Sequence, residues 1–365
     1  MMLAPHPDDE SLATGGLLQR AVAAGAQICV LLASDGEDNP WPQRVLEGRW
    51  QIGARERERW GARRRREALA ALRVLGVSAD AARFLGFPDQ GCTRFLLGAH
   101  EAPLGALTAA IRDWQPTLLL APSADDTHPD HNALAVLTEL ALDRLPAAQR
   151  PRVLHFLVHT RGRRSVGAAR VTLHLTAHER AVKKRAILCH ESQVALSRSR
   201  FVAYARAVET FQSAAPAPAR HPIQSVAIED GALCVRLRPS RIPGGEAQLF
   251  AAFETVLAGS LRWRLPVPRK SSVVLIEDAI TGRPVRRATV RKERAVLEVR
   301  IPLAPALPVE RIFVKYDRRL GFFDEAGWRE VPVLSECSAN PLSATSSSSS
   351  SSAPSPFGGG SDASA

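Results

Sequence analysis

The stretch Met1 to Ala33, MMLAPHPDDESLATGGLLQRAVAAGAQICVLLA, holds an apolar run, an amphipathic segment and a second apolar run. Met1–Pro5 and Gln27–Ala33 read as buried strands, and Asp9 to Ala24 as the helix between them. A strand, a helix and a strand in that order form a βαβ unit, the building block of a parallel sheet. The same alternation continues outward. Arg83–Gly86, Thr117–Ala121 and Val153–His159 are strand-length apolar runs; Arg57 to Leu75, Leu104 to Trp114 and Asn132 to Leu142 are helical patterns. Thr176 with Glu179 three residues later is a capping-box signature for a further helix reaching about Cys189. The expected fold is α/β, a mainly parallel sheet with helices on both faces.

After about Gln212 the pattern changes. Ser225–Ile228 and Leu233–Leu237 flank Asp230-Gly231, a hairpin signal. Val273–Ile276, Val285–Val290, Val296–Ile301 and Ile312–Tyr316 follow as short strands without helices between them, which predicts a small all-β, sandwich-like domain. Ala214–Pro222 is rich in proline and alanine and reads as a linker. The Ser-rich run after about Ser335 cannot bury a core and is expected to be disordered. The expected organisation is therefore an α/β domain over residues 1–213, a β-rich domain over 222–334 and a tail over 335–365.

A chain of 365 residues suits two domains. Its hydrophobic fraction of 45% and charged fraction of 23% are those of a soluble globular protein. No run approaches the roughly 20 apolar residues of a membrane span, and no charged region followed by an apolar core opens the chain. Cys29, Cys92, Cys189, Cys234 and Cys337 are odd in number and far apart, so neither a disulfide framework nor a thiolate zinc site is expected. A reduced, cytoplasmic setting is the simplest expectation. The net charge of +11 comes from abundant arginine. It lacks interleaved aromatics and a recognisable binding module, so no nucleic-acid partner is expected. Nothing in the sequence indicates an oligomeric state.

Two motifs stand out: His6-Pro7-Asp8-Asp9-Glu10 and His128-Pro129-Asp130-His131. Each follows a predicted strand and begins a predicted helix. Loops at the carboxyl ends of strands line the ligand crevice of an open α/β sheet, so two such loops on neighbouring strands would converge. Proline and acidic residues also suit any helix start. That alone would explain the first motif, but not two His-Pro-Asp motifs each placed after a strand.

Ligand chemistry suggests roles. A catalytic zinc takes three protein ligands from His and carboxylate and keeps a position open for water. His6 and Asp9, three apart at a helix start, can share one ion, and His131 completes the set. Asp8 cannot easily join its neighbour Asp9 on the metal but can serve as general base towards water. His128 would sit across the site, to stabilise the oxyanion or protonate the departing amine, and Asp130 would orient one of the imidazoles. Non-haem iron oxygenases share the two-His, one-carboxylate set but usually space it His-x-Asp/Glu and have no use for Asp8. Adjacent Asp8 and Asp9 cannot flank a glycosidic bond at the required separation of about 5 Å or more. The alternative reading is a metal-dependent hydrolase of another amide or of a phosphoester.

At these residues the chain resembles the PIG-L/LmbE-like N-acetylglucosaminyl deacetylases over roughly residues 1–212. Further matching features are Ser34-Asp35-Gly36, Arg64-x-x-Glu67 leading into Leu75-Gly76-Val77, Phe87-Pro88-Asp89 and His190-x-Ser192-Gln193. The resemblance implies a Rossmann-like fold and zinc-dependent removal of acetyl from an N-acetylated amino-sugar conjugate, with other divalent ions also accepted. It implies metal ligands at His6, Asp9 and His131, the general base at Asp8 and the oxyanion or acid role at His128. It further implies substrate contacts at Arg64 and Asp89. The β-rich extension lies outside the family pattern. The segment from Asp38 to Trp60 is longer than a βα connection requires and is expected to form a rim or lid.

Overall fold

The structure is a computed structural model and describes residues 1–159, 170–213, 221–238, 246–255, 259–304, 309–318 and 322–331. The expected tail (335–365), most of the expected linker (214–220) and Cys337 lie outside the described residues.

Five parallel strands form the heart of the first sheet: β1 (Met2–Ala4), β2 (Val30–Ser34), β3 (Ala82–Phe87), β4 (Leu118–Pro122) and β5 (Arg152–Phe156). Two more, β6 (Arg170–His174) and β7 (Val208–Gln212), extend it antiparallel, giving the order β3-β2-β1-β4-β5-β7-β6. Eight helices accompany it among the described residues: α1 (Asp9–Ala23), α2 (Pro40–Glu47), α3 (Ala54–Val74), α4 (Cys92–Leu97), α5 (Glu101–Trp114), α6 (Pro129–Asp143), α7 (Ala177–Leu188) and α8 (Glu191–Val202).

Strand periodicity of two assigns the core. Leu3, Leu31, Ala33, Leu119 and Ala121 pack against α4, α5 and α6, whereas Met2, Ala4, Val30, Leu32, Leu120 and Leu154 pack on the opposite face against α1, α3 and α7. Both faces are covered, which is why these strands read as unbroken apolar runs. The chain reverses direction across the sheet between β1, which pairs with β2, and β4, which pairs with β1 on its other side. That switch point opens a crevice at the carboxyl ends of β1 and β4. The α/β class with helices on both faces is as expected.

The expected all-β part is one continuous antiparallel sheet. Its strands are β8 (Ile223–Glu229), β9 (Ala232–Leu237), β10 (Ala247–Thr255), β11 (Gly259–Pro266), β12 (Ser272–Asp278), β13 (Pro284–Glu293), β14 (Val296–Pro302), β15 (Val309–Arg318) and β16 (Arg329–Val331). They run in the order β16-β15-β10-β11-β12-β13-β14-β9-β8. The sheet curls into a near-barrel around a single apolar cluster to which both edge strands contribute, Ile223 from β8 and Val331 from β16. The edges meet where Arg329 Nη1 donates to the Ile223 carbonyl at 2.6 Å. At the β8–β9 turn Asp230 and Gly231 have φ of 46° and 67°, the pair of left-handed residues that a type I′ hairpin needs.

The two parts form one compact unit. Ala252, Phe313 and Trp328 of the β-rich part belong to the same apolar cluster as α4–α6, and Arg262 Nε donates to the Leu96 carbonyl at 2.7 Å. Trp263 and Trp328 are buried, as core tryptophans are. Among the described residues no helix is long and apolar enough to cross a membrane, and Cys29, Cys92, Cys189 and Cys234 are free thiols.

Candidate active site

The loop after β1 carries His6 and Asp8 into the crevice and the first residue of α1 adds Asp9; the loop after β4 carries Asp126 and His128, and the first turn of α6 adds Asp130 and His131. All seven are buried. Asp8 caps the start of α1 in position only. Its side chain makes no capping bond, and its backbone has φ 148°, ψ −28°, a strained conformation for a residue with a Cβ. Its amide instead donates to Glu10 Oε2 at 2.9 Å. Glu10 in turn meets His190 Nε2 at 2.9 Å, so the His190 region braces the strained turn from beneath. Ser192 binds Glu67 of α3 through its amide and hydroxyl at 3.0 and 2.6 Å. His190 thus holds the turn through Glu10, Ser192 ties the start of α8 to α3, and Gln193 reaches the cavity wall.

Asp9 Oδ2 lies 3.4 Å from His6 Nδ1 and 3.2 Å from His131 Nε2, so one carboxylate oxygen is shared between two imidazoles. Asp9 also accepts from the His6 amide at 3.0 Å. His131 is fully buried, and neither of its ring nitrogens has a hydrogen-bond partner among the described residues. Its Nδ1 faces Asp126 Oδ2 at 3.2 Å. Burial disfavours the charged ring, but Asp9 and Asp126 outweigh it and push the His131 pKa to about 10. Burial opposes the ionised form of Asp9 too, yet His131 and His6 hold it well below the usual carboxylate range. One ligand atom from each of His6, His128 and His131 lies within 4.8 Å of the other two. The same holds for Asp126, His131 and His159, and for His6, Asp89 and Asp130. The first group shares His131 with the second and His6 with the third, which have no residue in common; Asp9 belongs to none of the three and joins His6 to His131 through its shared Oδ2.

Asp8 sits beside this centre. Its carboxylate accepts from Arg64 Nη2 at 3.1 Å. Burial is the largest influence on it and Arg64 opposes that influence, leaving its pKa raised to about 6. Arg64 is not on a solvated face of α3. It is buried, donating to the Gly36 and Pro7 carbonyls at 2.7 Å each, while its Nε has no partner among the described residues. The glycine is required there, since a Cβ at Gly36 would lie 1.7 Å from Arg64 Nη1.

Asp89 and Asp130 both reach His6 Nε2 at 3.2 Å. Asp130 is fixed by the amides of Gln90 (2.6 Å) and Cys92 (3.0 Å), and Asp89 by that of Asp38 (3.0 Å). Burial works against the Asp89 anion, but His6 overrides it and brings the pKa to about 2. His128 Nδ1 accepts from the Asp130 amide at 3.2 Å, so that nitrogen carries no proton. Burial, reinforced by His6, His131 and His159, depresses the His128 pKa well below normal. The ring is therefore neutral, with its one proton on Nε2.

Asp126 and His159 were not singled out from sequence. Asp126 accepts from the amides of His128 (2.8 Å), Val158 (3.0 Å) and His159 (3.1 Å). Its signal was its place in the same post-strand loop as His128. His159 stacks near His128 and His131, with ring centroids 5.3 and 4.9 Å away. It ends the apolar run of the strand next to β4, a position from which a side chain can enter the crevice.

These groups line a cavity of about 600 Å³. Its outer wall comes from Asp38–Pro42 at the start of α2, from α8, and from Phe322 and Phe323 of the β-rich part. The Asp38–Trp60 segment thus contributes part of the rim, through α2.

The profile of the PIG-L family, GlcNAc-PI de-N-acetylase, matches residues 1–142. A 1D-myo-inositol 2-acetamido-2-deoxy-alpha-D-glucopyranoside deacetylase from Mycobacteroides abscessus is 34% identical over 160 residues, 40% of this chain and 55% of its own. The protein of the same name from Mycobacterium tuberculosis is 34% identical over 139 residues, 34% of this chain and 45% of its own. The chain thus spans about half the length of the curated relatives it matches. Among solved structures, the N,N'-diacetylchitobiose deacetylase from Pyrococcus horikoshii aligns with a TM-score of 0.45 at 20% identity, covering 59% of this chain and 82% of that one. Residues 1–142, which hold both His-Pro-Asp motifs, are a PIG-L family domain.

Proposed function

We propose that this protein is a metal-dependent hydrolase that removes the acetyl group from an N-acetylglucosamine-type sugar conjugate. One observation carries the reading: His6, Asp9 and His131 converge in a buried crevice, the His131 ring is set between the Asp9 and Asp126 carboxylates at 3.2 Å each, and the strained Asp8 stands beside them.

The donor set fits a divalent ion. Asp9 and the two imidazoles offer the mixed nitrogen and oxygen ligands that zinc favours, and Asp9 brings the negative charge that the third imidazole, His128, would not. Held by His6, Asp9 and His131, zinc or another divalent ion would polarise the acetamide carbonyl and make water more acidic. Asp126 orients His131 and Asp130 orients His6, each from the far side of its ring.

Asp8 takes a proton from water as the water oxygen adds to the carbonyl carbon. Its pKa of about 6 makes it a stronger base than an ordinary carboxylate while leaving it mostly ionised at neutral pH. The neutral His128 donates its Nε2 hydrogen to the oxygen that becomes negative. Of the two roles open to His128, its depressed pKa favours this one. The carbon–nitrogen bond then breaks, and Asp8 returns its proton to the departing amine. Arg64 holds Asp8 in place, and its position in the cavity lining supports a direct contact with the substrate. Asp89 lines the same wall and is the second proposed substrate contact. This reading assigns the chemistry to residues 1–213, with 222–334 as a β-rich domain. The free cysteines support a reducing, cytoplasmic setting.

The test is acetate release from a panel of N-acetylated amino-sugar conjugates by zinc-loaded protein, before and after chelation. Release that disappears on chelation and returns with metal supports the proposal. Release from no member of the panel would sink it.

A further inference from the structure

The segment 322–328 leads into β16 and lies against the loop that carries His128. The Asp324 amide donates to the Thr127 carbonyl at 2.9 Å, and the Trp328 amide to the Ala124 carbonyl at 2.9 Å. The Asp324 carboxylate accepts from Asn132 Nδ2 at 2.7 Å and from Lys315 Nζ at 2.5 Å. Gly327 packs so closely that a Cβ would fall 1.6 Å from the Ala124 carbonyl oxygen. Asp324, Glu325, Ala326 and Trp328 are all buried. In this tightly held segment Phe322 is 44% exposed. Its ring centroid lies 4.8 Å from that of His128, and Phe323 lies 5.3 Å from His159. The two phenyl rings meet edge to face, at 5.2 Å and 88°.

Phe322 and Phe323 together form an apolar surface on the wall of the same cavity that His6, Asp8 and His128 line, and ligand cavities are lined by such aromatic side chains beside a few polar groups. We propose that Phe322 and Phe323 are specificity-determining residues, an aromatic wall on which the pyranose ring of the amino-sugar substrate packs. The inference rests on the deacetylase reading above. If His128 faces the oxyanion, the sugar carbon bearing the amide nitrogen is only a few bonds away, next to the phenyl rings. The carbon-bound hydrogens of a pyranose face carry partial positive charge and match the negative π face of an aromatic ring. An acyclic N-acetyl amine offers no such face. The β-rich part thereby completes a substrate site whose polar floor lies in the α/β part.

The test uses the zinc-loaded full chain and two probes, the methyl glycoside of N-acetylglucosamine and N-acetylethanolamine, comparing kcat/KM. The wild type favours the pyranoside, and Phe322→Ala lowers the pyranoside-to-acyclic ratio about tenfold, chiefly through KM. Phe322→Tyr, which keeps the ring, restores the ratio. Matching thermal melts establish that the variants fold. Acetate release with the same ratio in wild type and Phe322→Ala would overturn the inference alone. Release from members of the conjugate panel but from neither probe would overturn this inference alone, and release from no amide at all would overturn the deacetylase reading with it.

Discussion

Asp8 is held in place by neighbours that each do one thing. Glu10 ties its amide, Arg64 binds its carboxylate, and its backbone is kept at a φ that the free chain avoids. Asp8→Asn keeps the shape and removes the proposed base, so kcat should fall by about 10²- to 10⁴-fold while metal content, read by elemental analysis, stays that of the wild type. Activity above a tenth of wild type would rule out Asp8 as the base. Gly36→Ala places a methyl group where Arg64 sits, at φ +65°. It should cost about 1–3 kcal/mol in urea denaturation and lower kcat by displacing the partner of Asp8. An unchanged midpoint would show that Arg64 can move at little cost. His6, Asp8, Asp9, Asp130 and His131 were legible because two short motifs crowd chemistry-bearing residues into few positions. Asp126 was not, because it lies in the same loop as His128 but outside either motif, and His159 was not, because what joins it to the site is the packing of β4 against β5, a long-range pairing that no local pattern records.

The helices were legible wherever a cap or an apolar stripe announced them. Thr176 and Glu179 make the reciprocal capping bonds their spacing suggested, at 3.1 and 2.7 Å, and Glu179 also binds Arg20 of α1 at 2.7 Å. Its bond to Arg20, then those to Thr176, bring the Glu179 pKa down to about 2 from an ordinary 4.5. A carboxylate with a depressed folded-state pKa stabilises the fold above its unfolded value and loses that contribution as pH falls through the folded one. Glu179→Gln should therefore cost about 1 kcal/mol at neutral pH. The gap to wild type should close between pH 4.5 and about pH 2. Equal stability at pH 7 would contradict this account of the α1–α7 contact. Strand β10 was missed for an instructive reason. Ala251 faces the barrel core and Ala252 faces the α/β core, so the middle of the strand is buried on both sides and its apolar residues do not alternate with polar ones. Strand β6 is exposed along most of its length and carries little apolar signal.

Across the whole molecule the two sheets share one apolar cluster, so neither part is independent of the other. Calorimetry should show a single unfolding transition; two separable transitions would mean that the Ala252–Phe313–Trp328 contact contributes little. The α/β architecture was plain in the sequence because βαβ repeats are local. The union of the two parts was not, since it rests on scattered residues such as Arg262 and Trp328 that look like ordinary members of a β-domain. The central claim is that one divalent ion, held by His6, Asp9 and His131, supports hydrolysis of an acetamide. The most direct measurement is acetate release during titration of metal-free protein with zinc, with bound metal counted alongside. The account predicts that activity rises from near zero and saturates at one equivalent per chain, and that His131→Ala neither binds the ion tightly nor releases acetate. Full acetate release by the metal-free protein would contradict it.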